Sequence, residues 1–218
     1  MINNQNYIIM TKINLFILIV FVLFSINLQG QNKQEKKEKE KKEKTYDEII
    51  DKKAKSDDGL FLVHQVDEKF YYEIPDSLLN KEMLMVTRIA KTTSGLGFGG
   101  GKQNTQVVRW VKKRKQILLR IVSYQNVAAD SLPIYEAVIN SNFEPIIASF
   151  SIEAKGKDTL NLSYLIDVTK LFTNDVKKLG ISNRYKKRYK ISSVDTKRSY
   201  IESIKSYPLN IEARHVKT

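Results

Sequence analysis

The chain has 218 residues, a formal net charge of +13, 42% hydrophobic residues and no cysteine. That length holds one domain of ordinary size with an appendage, and the absence of thiols excludes a disulfide framework, a thiolate metal site and the simplest lipoprotein route. The basic balance raises nucleic acid as a partner, but acidic residues run throughout, and neither a recognition helix nor an aromatic-basic signature accompanies the charge. No nucleic-acid partner is expected.

In chain order, Lys12 precedes a short apolar run, Ile13 to Phe24, followed by the polar stretch SINLQGQ. A basic residue, a brief apolar core and a small residue before polar sequence form the pattern of a secretory leader, and twelve residues are short of the about 20 a bilayer span needs. Residues 1–30 are therefore expected to be a signal peptide cut between Gly30 and Gln31, with translation starting at Met1 or Met10; an uncleaved anchor or a buried helix is the alternative. Export to the periplasm, the outer membrane or the outside follows, with membrane contact only through the leader during export.

Residues 31–44, QNKQEKKEKEKKEK, carry seven lysines and four glutamates and no apolar side chain. Such a segment buries too little surface to offset its ordering entropy and reads as a solvated linker. Lys12 and this linker account for four of the thirteen net charges, leaving +9 for residues 45–218.

The folded part opens with an expected helix, TYDEIIDKKAK, whose Thr45 and Glu48 have capping-box spacing. Leu60–Val66 reads as a strand, Asp67–Lys69 as a tight turn and Phe70–Ile74 as the return strand, stopped by Pro75. Asp76–Lys81 makes a single helical turn, and Glu82–Thr93 resumes extended structure.

The glycine-rich run SGLGFGGGKQN, Ser94–Asn104, contains the letters G-x-G-x-x-G at Gly95, Gly97 and Gly100. A dinucleotide fingerprint requires a helix next, whose free N–H groups receive the pyrophosphate. Here TQVVRWVKKRKQILLRIVSY follows, a hairpin with KKRK at its tip. The triphosphate-loop pattern fails as well, because Leu96 and Gln103 occupy its first glycine and hydroxyl positions. The run reads as a connector, with Leu96 and Phe98 as candidate partner contacts.

Beyond it, Ser131–Asn142 suggests a short amphipathic helix through Ile134, Ala137 and Val138. Two strands are expected around Lys155–Asp158, with Gly156 supplying positive φ, and then a brief helix at TKLFTND. The densest basic cluster is RYKKRYK, Arg184–Lys190. Tyr200, Ile201 and Ile204 are spaced for a helix ended by Pro208, and LNIEARHV reads as a last strand.

No catalytic constellation emerges. His64 and His215 lie in separate expected strands and outside any H-E-x-x-H pattern, so each reads as a sheet residue with a satisfied ring and not as a ligand. No G-x-S-x-G elbow frames a serine. Glu73 and Glu82 have no sequence relation that would place them as an acid-base pair, and Trp110, Tyr71, Tyr72 and Tyr124 divide between core and surface by strand alternation.

Three stretches carry a resemblance: KKAKSDDGLFLVHQVDEKFYYEIPDSLLNKEMLMVTRIA, PIYEAVINSNFEPIIASFSIEA and RSYIESIKSYPLNIEARHV. They resemble the amino-terminal, noncatalytic domains of large exported zinc-dependent metalloprotease-like proteins of Gram-negative bacteria. The resemblance runs from about Thr45 to the last residue. It implies a zinc site downstream on an H-E-x-x-H helix, and no cofactor in this chain.

The expected fold is α+β, mainly antiparallel hairpins with short helices on one face. Residues 45–190 form an amino-terminal domain, and residues 191–218 a closing helix and strand or the start of a second domain cut short. The resemblance implies a folding, docking or partner-binding module for an absent catalytic domain. A self-sufficient envelope domain that binds peptide, glycan or protein is the alternative.

Overall fold

A computed structural model of the protein describes residues 44–218. The expected leader, its Gly30–Gln31 cleavage site and all of the linker before Lys44 lie outside the described residues. The fold is α+β and mainly antiparallel, with eleven strands in three sheets.

Helix α1 (Tyr46–Ile49) starts as read: the Glu48 carboxylate accepts from the Thr45 backbone N–H at 2.7 Å. It ends after one turn. Lys55, expected as its last residue, instead opens strand β1 (Lys55–Asp57). All three are exposed, so no apolar periodicity marked them; pairing with β2 (Leu62–Val66) overrides their local preference. Strand β3 (Lys69–Pro75) returns antiparallel, and a single 3₁₀ turn (Asp76–Leu78) leads to β4 (Glu82–Arg88).

Strands β5 (Lys102–Lys113) and β6 (Gln116–Ile121) are the expected long hairpin, and helix α2 (Tyr135–Ser141) follows. Strand β7 (Ile146–Ser151) pairs with β6, whereas β8 (Ala154–Lys155) pairs with β9 (Ser163–Asp167). The first of the two strands expected around Lys155–Asp158 is thus divided: β7 lies in the other sheet, and only its short continuation β8 pairs with β9 across Gly156. Ile152 N–H donates to Lys115 O at 3.1 Å and Glu153 N–H to Leu165 O at 2.9 Å, which marks where the chain crosses between them. Gly156 does not have positive φ; among the described glycines Gly95, Gly97 and Gly100 do. What Gly156 supplies is space, since a Cβ there would overlap Ser163 Oγ and Glu73 Oε1.

Helix α3 (Thr169–Thr173) matches its reading, and a further helix, α4 (Asn183–Arg188), carries the basic cluster. The helix expected around Tyr200 is strand β10 (Tyr200–Tyr207), paired with β11 (Asn210–Val216) across a turn at Pro208 and Leu209. A β-bulge between Ile201 and Ser203 explains the misreading. The extra residue brings Ile201 and Ile204 to the same face, and their three-residue spacing then imitates a helical period.

The two larger sheets have the orders β1-β2-β3-β9-β8 and β4-β5-β6-β7, with the β10–β11 hairpin beside them. The main core joins all three: Val63, Tyr72 and Ile74 from the first, Trp110, Ile117 and Leu119 from the second, Ile204 from the hairpin. Trp110 is its hub, 6.2 Å from Phe61, 6.3 Å from Tyr72 and 5.7 Å from Phe150 between ring centroids. Burying each such side chain contributes about 1.5–3 kcal/mol. Residues 191–218 therefore pack on the same core as the strands before them. A smaller cluster of Ile49, Tyr71 and Leu165 fixes α1 to the other face of the first sheet.

Candidate functional site

Alternation along β2 and β3 turns Val63, Phe70 and Tyr72 into the main core and His64, Tyr71 and Glu73 toward α1. His64 and Glu73 are diagonal neighbours across that strand pair, 3% and 6% exposed, and His64 Nε2 lies 3.1 Å from Glu73 Oε2. The Tyr46 hydroxyl donates to the same oxygen at 2.6 Å, and Ser163 Oγ donates to Glu73 Oε1 at 2.6 Å. Ser56 Oγ is 2.7 Å from His64 Nδ1. Beyond the hairpin register, no local pattern of residues marks this cluster.

Burial pushes the Glu73 carboxyl up, but the hydrogen bonds from His64, Ser163 and Tyr46 outweigh it and hold it below its ordinary value of 4.5. Burial, and then the Glu73 hydrogen bond and charge, push the Tyr46 hydroxyl well above its ordinary range. A serine, a histidine and a glutamate in a row invite comparison with an acyl-transfer triad. Here both carboxylate oxygens are already engaged, and the glutamate is held by three side chains from two strands and a helix. His64, Glu73 and Ser163 are buried at the centre of the cluster, with Tyr46 half-buried and Ser56 exposed at its rim, and the bond from Tyr46 pins α1 to the sheet.

On the opposite side of β2, a groove of about 540 Å³ opens between β1 and β10. Val63, Phe70 and Ile204 line it together with Lys55, Asp57 and Lys205. Its closed end is stitched by Ser206 N–H to Asp57 Oδ2 at 2.9 Å and Leu60 N–H to Tyr207 O at 2.8 Å.

The most distinctive surface is apolar. Eight of the sixteen large hydrophobic side chains exposed among the described residues fall in the segment between Tyr124 and Ile146. Helix α2 buries none of its residues, and Ile134, Ile139 and Phe143 are 59%, 57% and 74% exposed. The segment is nevertheless anchored at its base: Glu144 pairs with Arg109 and accepts from Arg120 through its carbonyl at 3.1 Å, and Arg120 lies 4.5 Å from the Phe143 ring centroid. A held segment that displays apolar side chains has the character of a contact surface.

The remaining sequence candidates separate. Glu82 sits on the second sheet and accepts from Tyr124, so it shares no partner with the Glu73 cluster. Trp110 and Tyr72 are in the main core, Tyr71 is under α1 and Tyr124 is exposed. His215 lies on β11 against Phe172, with ring centroids 5.5 Å apart, and burial followed by the charge of Lys217 lowers its pKa to about 4. His64 and His215 are thus in different sheets, and only His64 has the satisfied ring expected of both: His215 Nδ1 is buried without a hydrogen-bond partner. Among the described residues no three His, Cys, Asp or Glu side chains gather as a metal-binding group. Phe98 is 96% exposed and Leu96 half-buried in the glycine loop.

Residues 43–92 match the family described as Domain of unknown function (DUF5118), and residues 100–218 match Domain of unknown function (DUF5117). The second match covers more than half of the chain, and the protein belongs to the DUF5117 family. No curated protein and no solved structure matches it. The first segment supplies β1 to β4 and the second β5 to β11, so each of the two larger sheets contains strands from both. The seam between the matches is the glycine loop.

Proposed function

We propose that this DUF5117 chain is a noncatalytic docking and folding module, the amino-terminal region of an exported zinc-dependent metalloprotease-like protein, whose catalytic part covers the apolar surface around α2. The observation that carries this reading is a helix of the folded unit with no buried residue, bordered by exposed Ile134 and Phe143. An amphipathic helix with its apolar positions open contributes little to its own domain's stability and is explained by a surface that covers it. The saturated His64–Glu73 network fits the same reading, since it serves the fold and offers no open valence.

The test is to produce the chain with and without the product of the reading frame that follows it, and to compare amide hydrogen exchange. Protection confined to residues 127–143 in the joint sample supports docking; unchanged exchange there rejects it. The chain alone should take up no stoichiometric zinc and cleave no casein. The groove between β1 and β10 supports the second reading, a self-sufficient envelope domain, because its strand-edged walls suit an extended peptide. Protection at residues 55–57 and 202–207 on adding envelope peptides, with none at α2, would favour it.

A further inference from the structure

Two features stand far apart in the sequence: the glycine loop with its exposed Phe98, and the basic cluster at Arg184–Lys190. The structure joins them. The Tyr185 hydroxyl of α4 donates to the Leu96 carbonyl, Asn104 Nδ2 to Gly180 O at 3.3 Å and Gln106 Nε2 to Lys178 O at 3.4 Å. Tyr185 is itself braced by Tyr189, with ring centroids 4.5 Å apart.

The loop is shaped as well as tethered. Gly100 N–H donates to Ile89 O at 2.6 Å, Ile89 N–H to Gly101 O at 2.9 Å, and Thr92 Oγ1 to Gly97 O at 2.7 Å. A Cβ at Gly99 would overlap the Ala90 carbonyl, so the loop closes on itself there. Phe98 projects from this closed loop and is the most exposed large hydrophobic side chain among the described residues.

The two joined segments are predominantly basic. Residues 174–193 contain seven lysines and arginines and a single acid, Asp175, and residues 89–104 contain two lysines and no acid. Asp175 is engaged by Lys186 at 2.6 Å. Arg184, Lys187, Arg188 and Lys190 are exposed, and Arg188 follows Tyr185 by one turn of α4.

We propose that the Phe98 loop and α4 together form a docking surface for an anionic lipid bilayer, with Phe98 entering the interface and the basic residues around it neutralising headgroups. A lone aromatic side chain over a cationic field matches an interface that is apolar within and negative at its surface. A duplex nucleic acid would use the charge but give Phe98 no place in its backbone-dominated contact. This surface is separate from α2, and the proposal does not depend on the docking reading above. It places a membrane contact on the folded unit, beyond the leader contact expected from the sequence.

The full chain carrying Phe98→Trp tests it. The protein has one native tryptophan, Trp110, 5% exposed in the core, so a new indole at position 98 reports on the loop even if the leader also touches lipid. Vesicles of phosphatidylglycerol and phosphatidylcholine in equal amounts should shift the emission of that indole to the blue. About 0.5 M salt should reverse most of the shift. Adding Arg184→Glu and Arg188→Glu should weaken vesicle affinity at least tenfold while circular dichroism and the unfolding midpoint stay unchanged. Unshifted emission overturns the proposal, as does an equal shift with phosphatidylcholine alone. Tighter binding to duplex DNA than to these vesicles, with the loop indole's emission unmoved, assigns the basic surface to nucleic acid and also overturns it.

Discussion

Ser163 donates to Glu73 across 90 residues of sequence, hydroxyl to carboxylate at 2.6 Å, on adjacent strands that belong to the two different family segments. The pair joins the segments at a buried point, and His64 and Tyr46 complete the set of partners around Glu73.

Replacing Glu73 with Ala should lower stability by about 3 kcal/mol, because several buried groups lose their acceptor together. Urea unfolding followed by far-ultraviolet dichroism measures it. A loss below about 0.5 kcal/mol, typical of an indifferent surface position, would show that the network is not structural.

The same carboxylate sets an acid limit. Its folded pKa lies below 4.5, so the stability it contributes is present above that value and is lost as pH falls through the folded pKa. Glu73→Gln should flatten the fall in stability below about pH 4.5, as seen in unfolding midpoints taken over a pH series.

His215 acts in a separate window. Its pKa falls from 6.5 to about 4 on folding, so the unfolded chain binds the proton first and stability declines as pH drops from 6.5 toward 4. His215→Leu should remove the slope in that interval and leave the steeper fall below it. An unchanged slope would move the titration to another group.

How much of this was legible depends on where the signal lay. The β2–β3 and β5–β6 hairpins announced themselves by apolar alternation and by turn residues. The His64–Glu73 pair was hidden by one residue: a three-residue turn at Asp67–Lys69 sets the two side chains on opposite faces, whereas the pairing of Val66 with Lys69 sets them on the same one. Strand β1 has no apolar member to read, and the bulge in β10 disguised a strand as a helix. The union of the Phe98 loop with α4 rests on long-range hydrogen bonds from Tyr185, Asn104 and Gln106, which no local pattern encodes.

Gly156→Ala should cost roughly 2 kcal/mol, since its methyl must displace Ser163 or Glu73 from their hydrogen bond and strand a buried polar group. It should also raise the Glu73 pKa and move the acid limit upward. Wild-type unfolding midpoints at neutral and acid pH would contradict the steric account.

Ile139→Asp tests the apolar surface. Ile139 is 57% exposed, so stability of the chain alone should change by less than about 0.5 kcal/mol. Association with the proposed catalytic part should weaken about tenfold or more, equivalent to about 1.4 kcal/mol, by calorimetric titration. Equal affinity for the variant and the original would place the interface elsewhere.

Because β3 finds its neighbour in β9, and β4 in β5, a break in the glycine loop would leave two fragments that each hold part of both large sheets. Neither fragment has a complete interior to condense around. A protease nick at Gly97 should yield a complex that survives gel filtration and falls apart only in denaturant, because each fragment lacks neighbours that the other supplies.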